Sequence, residues 1–270
     1  MLASQRRSEI LERVRRTGSV RVAELAAELA VSEMTIRRDL DVLDERGLLA
    51  KVHGGATTAG PGSAHEPSFA AKSVRQRAEK AAIARRAASF ARPGAAVALS
   101  AGTTTAGLAG LLRDVPDLTV VTNSIPVADA LRRDNHGEPP DGGVVLLESA
   151  PQVVLTGGVR TRSDALVGPL TVAAIGSLHC DVLFLGVHGM SQRAGFTTPN
   201  LMEAETNRAL VASAGRLVVL ADHTKWDTVG ISTMAALRDA DVLITDSGLP
   251  DAARDILAAE VGELIIVETA

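Results

Sequence analysis

The sequence has no tyrosine, one tryptophan, four phenylalanines and one cysteine in 270 residues. With aromatics at 2%, there are few rings on which single-stranded bases could stack, which argues against that mode of nucleic-acid binding. The lone Cys180 cannot close an internal disulfide, and no Cys/His cluster has the spacing of a zinc site, so no metal or cofactor is expected. Long apolar runs are missing too. Those near Asp181–Val187 and Arg216–Ala221 are strand-sized, far short of the roughly 20 residues that cross a bilayer. Arg6, Arg7 and Glu9 stand where a secretory signal would carry its apolar run. A cytoplasmic protein with no membrane partner is expected. Lysine is also scarce: of 28 basic residues only Lys51, Lys72, Lys80 and Lys225 are lysine, so a lysine at a polar turn stands out.

The net charge of −4 argues against a generic polyanion binder, but it averages unlike regions. Residues 1–55 carry ten basic and nine acidic side chains, against 18 and 23 in the remainder. Within residues 1–21 the balance is six to two, a run that charge alone reads as a solvated helix face. Apolar spacing predicts three short helices there. Ser4 is placed to cap the first, whose Ile10, Leu11 and Val14 share a face and which ends at Thr17-Gly18. The second spans Val22–Leu29. The third starts from Ser32 as N-cap, with Val31 and Ile36 as a hydrophobic staple and Ile36, Leu40 and Leu43 inward, and Gly47 closes it. Leu48–Val52 reads as a strand and Gly54-Gly55 as a hairpin turn.

Helix, short turn, helix and hairpin make a winged helix-turn-helix, with Glu33, Thr35, Arg37, Arg38 and Asp41 facing outward. Ser32, Thr35, Arg37 and Arg38 are candidates for contacts to double-stranded DNA, and Lys51 and His53 on the wing for contacts to its backbone. Periodicity alone leaves a second reading open, a small helical cap with solvated arginines. Val31-Ser-Glu-Met-Thr-Ile-Arg-Arg-Asp-Leu40 and Val52-His-Gly-Gly-Ala56, within a longer match over residues 22–56, resemble the DNA-binding domain of the DeoR family of bacterial transcription regulators. The resemblance implies that the helix from Ser32 reads an operator.

Thr57–Ser68 is rich in glycine, proline and serine and reads as a linker. A long helix is expected from Ser73 to Phe90. Apolar runs then alternate with helical segments at Ala95–Leu99, Leu118–Val121, Val153–Leu155, Val182–Leu185, Leu217–Leu220, Val242–Ile244 and Leu264–Val267, predicting a doubly wound, mostly parallel α/β sheet. The expected division is 1–57 for the winged helix-turn-helix domain, 58–72 for the linker and 73–270 for the α/β domain.

Polar turns follow the runs: Ser100–Thr105, Thr122-Asn123-Ser124, Thr156-Gly157-Gly158, Gly186–Gly189, Ala221–Lys225 and Thr245-Asp246. In open parallel sheets ligands bind where such turns gather. Gly102, Thr103, Thr104 and Thr105 make the best anion site, because glycine admits the anion to the backbone and the next helix points free N–H groups at it. Helix capping is the alternative. Neither the P-loop pattern nor Gly-x-Gly-x-x-Gly is present, which favours a small phosphorylated ligand over a nucleotide. Asp222 and Lys225 either converge on a hydroxylated ligand or form a local salt bridge. Glu203 stands near a helix start, where an acidic residue also serves the dipole, and Arg160 is a candidate phosphate partner.

Glu79-Lys80-Ala-Ala-Ile-Ala84, Ala101-Gly-Thr-Thr104, Leu118-Thr-Val-Val-Thr-Asn-Ser124, Leu155-Thr-Gly-Gly158, Leu166-Val-Gly168 and Ala221-Asp-His-Thr-Lys225 are similar, in order, to the C-terminal sensor domain of the DeoR family. That domain is related in fold to ribose-5-phosphate isomerase and glucosamine-6-phosphate deaminase, and family members respond to phosphorylated sugars. The resemblance implies a repressor of a carbohydrate operon, acting as a homo-oligomer, dimer or tetramer. Its effector is a sugar phosphate held by Gly102–Thr105, Thr122, Asn123, Ser124, Gly157, Gly158, Arg160, Gly186, Glu203, Asp222 and Lys225. Three departures bear on which sugar: Ser100 stands where many members have Asp, Gly189-Met-Ser191 where many have Gly-Ile-Asp, and residues 134–152 are longer than usual. The alternative of an active isomerase or deaminase would use Glu203, Asp222 and Lys225 as acid/base groups, and the two missing carboxylates weigh against it.

Overall fold

Three inward apolar stripes and a glycine turn organise the first 58 residues. In a computed structural model the chain is described at residues 3–45, 48–52, 54–58, 63–64, 66–132 and 151–269, and it divides between positions 62 and 63 into two units. The first contains α1 (Ala3–Thr17), β1 (Ser19–Arg21), α2 (Val22–Glu28), α3 (Glu33–Glu45), β2 (Leu49–Val52) and β3 (Gly55–Thr58). Ile10, Val14, Val22, Leu25, Ile36, Leu40 and Leu43 meet in one core with Val20, Leu49 and Ala56. The expected hairpin carries a third strand, β1, paired to β3. It approaches closely because residue 55 is glycine: a Cβ there would stand 2.1 Å from the Val20 carbonyl oxygen. Ser4 lies inside α1, which starts at Ala3, while Gly47 is outside the described residues. Part of the basic run is not a solvated face. Asp39, 4% exposed, accepts Arg6 Nε at 2.5 Å and Arg7 Nε at 3.0 Å and so ties α1 to α3.

The second unit runs α4 (Phe69–Ser73), α5 (Arg77–Ala88), β4 (Ala96–Leu99), α6 (Thr103–Leu111), β5 (Thr119–Thr122), α7 (Ile125–Leu131), β6 (Gln152–Leu155), β7 (Val159–Arg160), β8 (Leu166–Val167), α8 (Pro169–Ile175), β9 (Val182–Gly186), β10 (Gly189–Ser191), β11 (Gly195–Thr198), α9 (Leu201–Ala212), β12 (Leu217–Leu220), β13 (Ser232–Ala235), β14 (Val242–Asp246), α10 (Asp251–Glu260) and β15 (Leu264–Val267). All seven expected strands join one parallel sheet in the order β6-β5-β4-β9-β12-β14-β15. Alternation along each strand feeds two cores. Val97, Leu99 and Phe184 pack with α5, α6 and α7, whereas Ala98, Leu183 and Leu185 pack with α8, α9 and α10. Among the described residues no helix is long and apolar enough to cross a membrane.

Two features depart from the sequence reading. The single helix expected over Ser73–Phe90 is two helices, broken at Gln76, which has φ +49. The break is held from below: Lys80 Nζ donates to the carbonyls of Lys72 and Arg75, each at 2.6 Å, capturing oxygens that a continuous helix would use itself. Residues 66–73, expected in a linker and its edge, are ordered by the same arrangement, with Ser68 Oγ accepting the Ala71 N–H as the cap of α4. The second departure is a small antiparallel sheet, β10-β11-β13, together with the ribbon β7-β8. Of the longer stretch expected at 134–152, positions 134–150 lie outside the described residues and Gln152 begins β6.

Asp39→Ala would leave two mostly buried guanidiniums without their counter-charge. Breaking such a pair from one side costs roughly 3 kcal/mol, somewhat less here because Arg7 reaches solvent. Urea unfolding of the first unit should shift to a lower midpoint, and an unchanged midpoint would show that Asp39 is not a structural tie.

Candidate functional site

In the first unit the helix aimed at DNA begins as the sequence predicts. Ser32 Oγ accepts the Thr35 N–H at 3.2 Å and lies 2.9 Å from Thr35 Oγ1, so these two residues cap α3. Arg37 and Arg38 are exposed on the side away from the core. Arg37 Nη2 pairs with Glu33 Oε2 at 2.8 Å with both side chains about half exposed, a weak surface pair that can exchange for a base or a phosphate. Met34 is 59% exposed and was missed; an exposed methionine among polar neighbours is its only sequence signal. Lys51 lies in β2 opposite Ala56, and His53 lies outside the described residues.

The cleft of the second unit follows from strand order. The helices after β4 and β5 pack on one face of the sheet and α9 and α10, after β9 and β14, on the other. The β4–β9 boundary is therefore a topological switch point, beyond whose carboxyl ends a crevice opens. Gly186 N–H donates to Ser100 Oγ at 2.9 Å across it. Gly102, Thr103, Thr104, Gly186, Glu203, Asp222 and Lys225 line this crevice, joined by Glu66, Lys72, Lys80, Thr198 and Asn207. Gly102 precedes the nine-residue α6 and makes no side-chain cap, leaving the first-turn N–H groups without intrahelical acceptors.

Seven expected residues do not line the cleft. Thr105 Oγ1 donates to the Gly102 carbonyl at 3.0 Å and Thr122 Oγ1 to that of Leu99 at 2.7 Å. Asn123 bridges Ala101 N and the Leu166 carbonyl, and Ser124 caps α7. Arg160 turns to Asp164 at 2.8 Å. Gly157 and Gly158 serve the backbone, at φ +72 and +120, and a Cβ on Gly158 would meet Thr171 Oγ1 at 2.1 Å. Trp226 packs against the core. Ser100 and Ser191, which replace the carboxylates common in the family resemblance, clip turns: Ser191 Oγ accepts the Ala194 N–H at 3.1 Å.

What the cleft gains outweighs what it loses. Three of the four lysines line it. Burial lowers the Lys72 and Lys80 pKa values from 10.5, with Glu203 and Glu66 opposing the shift at Lys72 and Asp222 opposing it at Lys80. The carboxylates are held as well. For Glu66 burial acts upward, but hydrogen bonds from Asn200 at 2.8 Å and Ser163 outweigh it and keep the pKa below the usual value. Glu203 accepts from Thr161, Ser163 and Thr198. Asp222, 1% exposed, accepts from Thr224 and lies 3.9 Å from Lys225 Nζ. The pair forms a local ion pair, and both residues also line the cleft. Asn207 Oδ1 is buried without a partner. Among the described residues no group of three His, Cys, Asp or Glu side chains is placed to hold a metal ion.

A winged helix carrying two exposed arginines, in one chain with an α/β unit whose sheet opens a polar cleft at its switch point, defines a DNA-binding transcriptional regulator. Residues 6–61 match the DeoR-like helix-turn-helix domain and residues 75–247 the DeoR C terminal sensor domain. The uncharacterized HTH-type transcriptional regulator YgbI of Escherichia coli K12 is 35% identical over 99% of each chain. The HTH-type transcriptional regulator GlpR of Haloferax volcanii is 35% identical over 94% of each chain. The glycerol-3-phosphate regulon repressor of Escherichia coli K12 is 28% identical over 95% of this chain and 96% of its own. The chain belongs to the DeoR family of transcriptional regulators. Ribose 5-phosphate isomerase A of Methanocaldococcus jannaschii superposes on 55% of this chain and 54% of its own at 13% identity and a TM-score of 0.36, a likeness too slight to carry function across.

Arg37→Ala and Arg38→Ala should each weaken operator binding by about 1–3 kcal/mol where the lost contact is bidentate to a base. Folding should be unaffected, because neither side chain enters the core. Gel-shift titration on operator fragments selected by the wild-type protein measures this, and wild-type affinity in both variants would take the arginines out of recognition.

Proposed function

We propose that the chain is a repressor of a carbohydrate-metabolism operon, released from DNA when a phosphorylated sugar enters the second unit's cleft. The observation that carries this reading is the convergence of three of the chain's four lysines and the start of α6 on one crevice at the sheet's switch point. Ammonium groups and free backbone N–H groups suit a phosphate dianion. Lys80 gives two of its three donors to backbone carbonyls, which leaves one for the ligand. Glu203, Asp222 and Asn207 supply acceptors suited to sugar hydroxyls. The name of one relative, a glycerol-3-phosphate regulon repressor, supports both the repressor role and the class of effector.

Catalysis is not part of this reading. Ser100 and Ser191 stand where many family members carry carboxylates, and both hydroxyls here accept backbone N–H groups of turns. A dimer or a tetramer would present recognition helices to successive operator half-sites.

Thermal-shift screening against sugar phosphates tests the ligand class, since a ligand of the native state raises its stability by mass action. Gly102→Asp opposes the anion by charge and bulk. Lys225→Ala removes a charged partner, a loss of about 1.5–3 kcal/mol in binding. Both variants should keep operator affinity without effector and fail to release DNA when it is added, followed by fluorescence anisotropy at fixed salt. Wild-type release from both would place the effector elsewhere.

Burial of Lys72 and Lys80 also fixes a pH dependence. Their ammoniums are lost at lower pH than an ordinary lysine's 10.5, and the anion prefers the charged form. Affinity for a bound sugar phosphate should therefore be full near neutrality and fall as pH rises, beginning below that ordinary value. Calorimetry from about pH 7 to 10 reads the fall, and a flat profile would remove these lysines from the phosphate site.

A further inference from the structure

The first described residues of the second unit also build one wall of the cleft. The chain passes from the first unit to the second between positions 62 and 63, and Glu66 and Lys72 line the cleft soon afterwards. This strap is fastened at three places. The Ser63 carbonyl accepts the Ile231 N–H at 2.9 Å. Lys80 takes the carbonyls of Lys72 and Arg75. Glu66 accepts from Ser163 N at 3.1 Å, Ser163 Oγ at 2.9 Å and Asn200 Nδ2 at 2.8 Å.

The third fastening is shared with the cleft. Ser163, 3% exposed, sets its hydroxyl between two carboxylates, within hydrogen-bond reach of both Glu66 Oε1 and Glu203 Oε1. A hydroxyl has one proton, so it serves one of them at a time. Thr161 Oγ1 stands 3.0 Å from both Ser163 Oγ and Glu203 Oε1, completing a chain of donors whose allegiance can shift. Asn200 links the same two residues, its amide on Glu66 and its Oδ1 accepting the Glu203 N–H at 3.2 Å.

We propose that Ser163 is the positioning residue through which an effector in this cleft acts on the strap that leads to the DNA-binding unit. The proposal rests on the reading of the cleft as the effector site. A sugar hydroxyl that donates to Glu203 takes over the role of the Ser163 proton. That proton then turns to Glu66, giving the carboxylate its third donor and fastening the strap more tightly. The effector thus interacts differently with two states of one hydrogen-bond chain, which linkage requires of any ligand that shifts an equilibrium.

The test separates binding from coupling in the full chain. The probes are glycerol 3-phosphate, ribose 5-phosphate and glucosamine 6-phosphate. Affinity is read by calorimetry and operator release by anisotropy on DNA selected by the wild type. Ser163→Ala keeps the backbone N–H on Glu66 and removes the relay. It should bind the active probe within about threefold of wild type, yet change operator affinity by less than about twofold where wild type changes it at least roughly fivefold. Ser163→Thr, which keeps the hydroxyl, should restore release. Glu66→Gln, which weakens the acceptor at the strap and also faces the cleft, should lose release even at saturating probe, and serves if Ser163→Ala fails to fold. Wild-type release by both Ser163→Ala and Glu66→Gln, or failure of Ser163→Thr to restore it, overturns the relay while leaving the effector site standing. A wild type that binds none of the probes overturns the effector site and the relay with it.

Discussion

Strands β4 and β9 lie side by side in register, Val97 opposite Val182 and Leu99 opposite Phe184, yet the helices that follow them pack on opposite faces of the sheet. A cleft opens beyond their carboxyl ends, lined from one layer by Lys80 and from the other by Glu203 and Asn207, and the two turns there approach closely. A Cβ on Gly102 would lie only 3.8 Å from Gly186 Cα. The Gly186 N–H to Ser100 Oγ bond closes the floor of the gap. Polar groups gather around this opening: the start of α6 on one side, Glu203 at the start of α9 on the other, and Asp222 just after β12. The location of the cleft is thus a property of the winding of the sheet, while its chemistry belongs to the side chains at its rim.

That distinction explains what the sequence could and could not show. The run Leu217–Leu220 is a strand at the expected bounds, because a strand buried on both faces needs a continuous apolar run, and Leu264–Val267 keeps its bounds as a partly exposed edge strand. The same condition hides β10 and β11, which are wholly buried yet only three and four residues long, and which hold glycine, serine and threonine. Nothing local marks them. Reading the turns after each strand found Gly102, Gly186, Asp222 and Lys225, because the cleft draws on turns next to the switch point. Thr122–Ser124 and Gly157-Gly158 lie further along the sheet and outside the cleft, where the same residue types bond to neighbouring backbone or admit a left-handed turn. Glu66 and Lys72 fell in a segment composed like a linker, so their place in the wall depended on tertiary contacts. The scarcity of lysine was the one local hint, and three of the four lysines do share the cleft.

The charge balance of the cleft shows why its carboxylates are needed even without catalysis. Burial alone drives Lys72 and Lys80 toward the neutral amine, because a desolvated ammonium loses its hydration. Glu66 and Glu203 oppose that at Lys72, and Asp222 opposes it at Lys80. Those carboxylates need stabilising in turn, and hydroxyl and amide donors from Ser163, Asn200, Thr198 and Thr224 provide it. The donors to Glu66 hold its pKa below the usual value, and Glu66, Glu203 and Asp222 oppose the loss of charge that burial brings to Lys72 and Lys80. Three lysines and three carboxylates leave the lining close to neutral in formal charge, so on the proposed reading a dianion would have to break an existing balance. A carboxylate displaced from its lysine can recover only by drawing on its other donors. For Glu66 and Glu203 those donors converge on the Ser163 hydroxyl, at the wall built by the chain arriving from the DNA-binding unit.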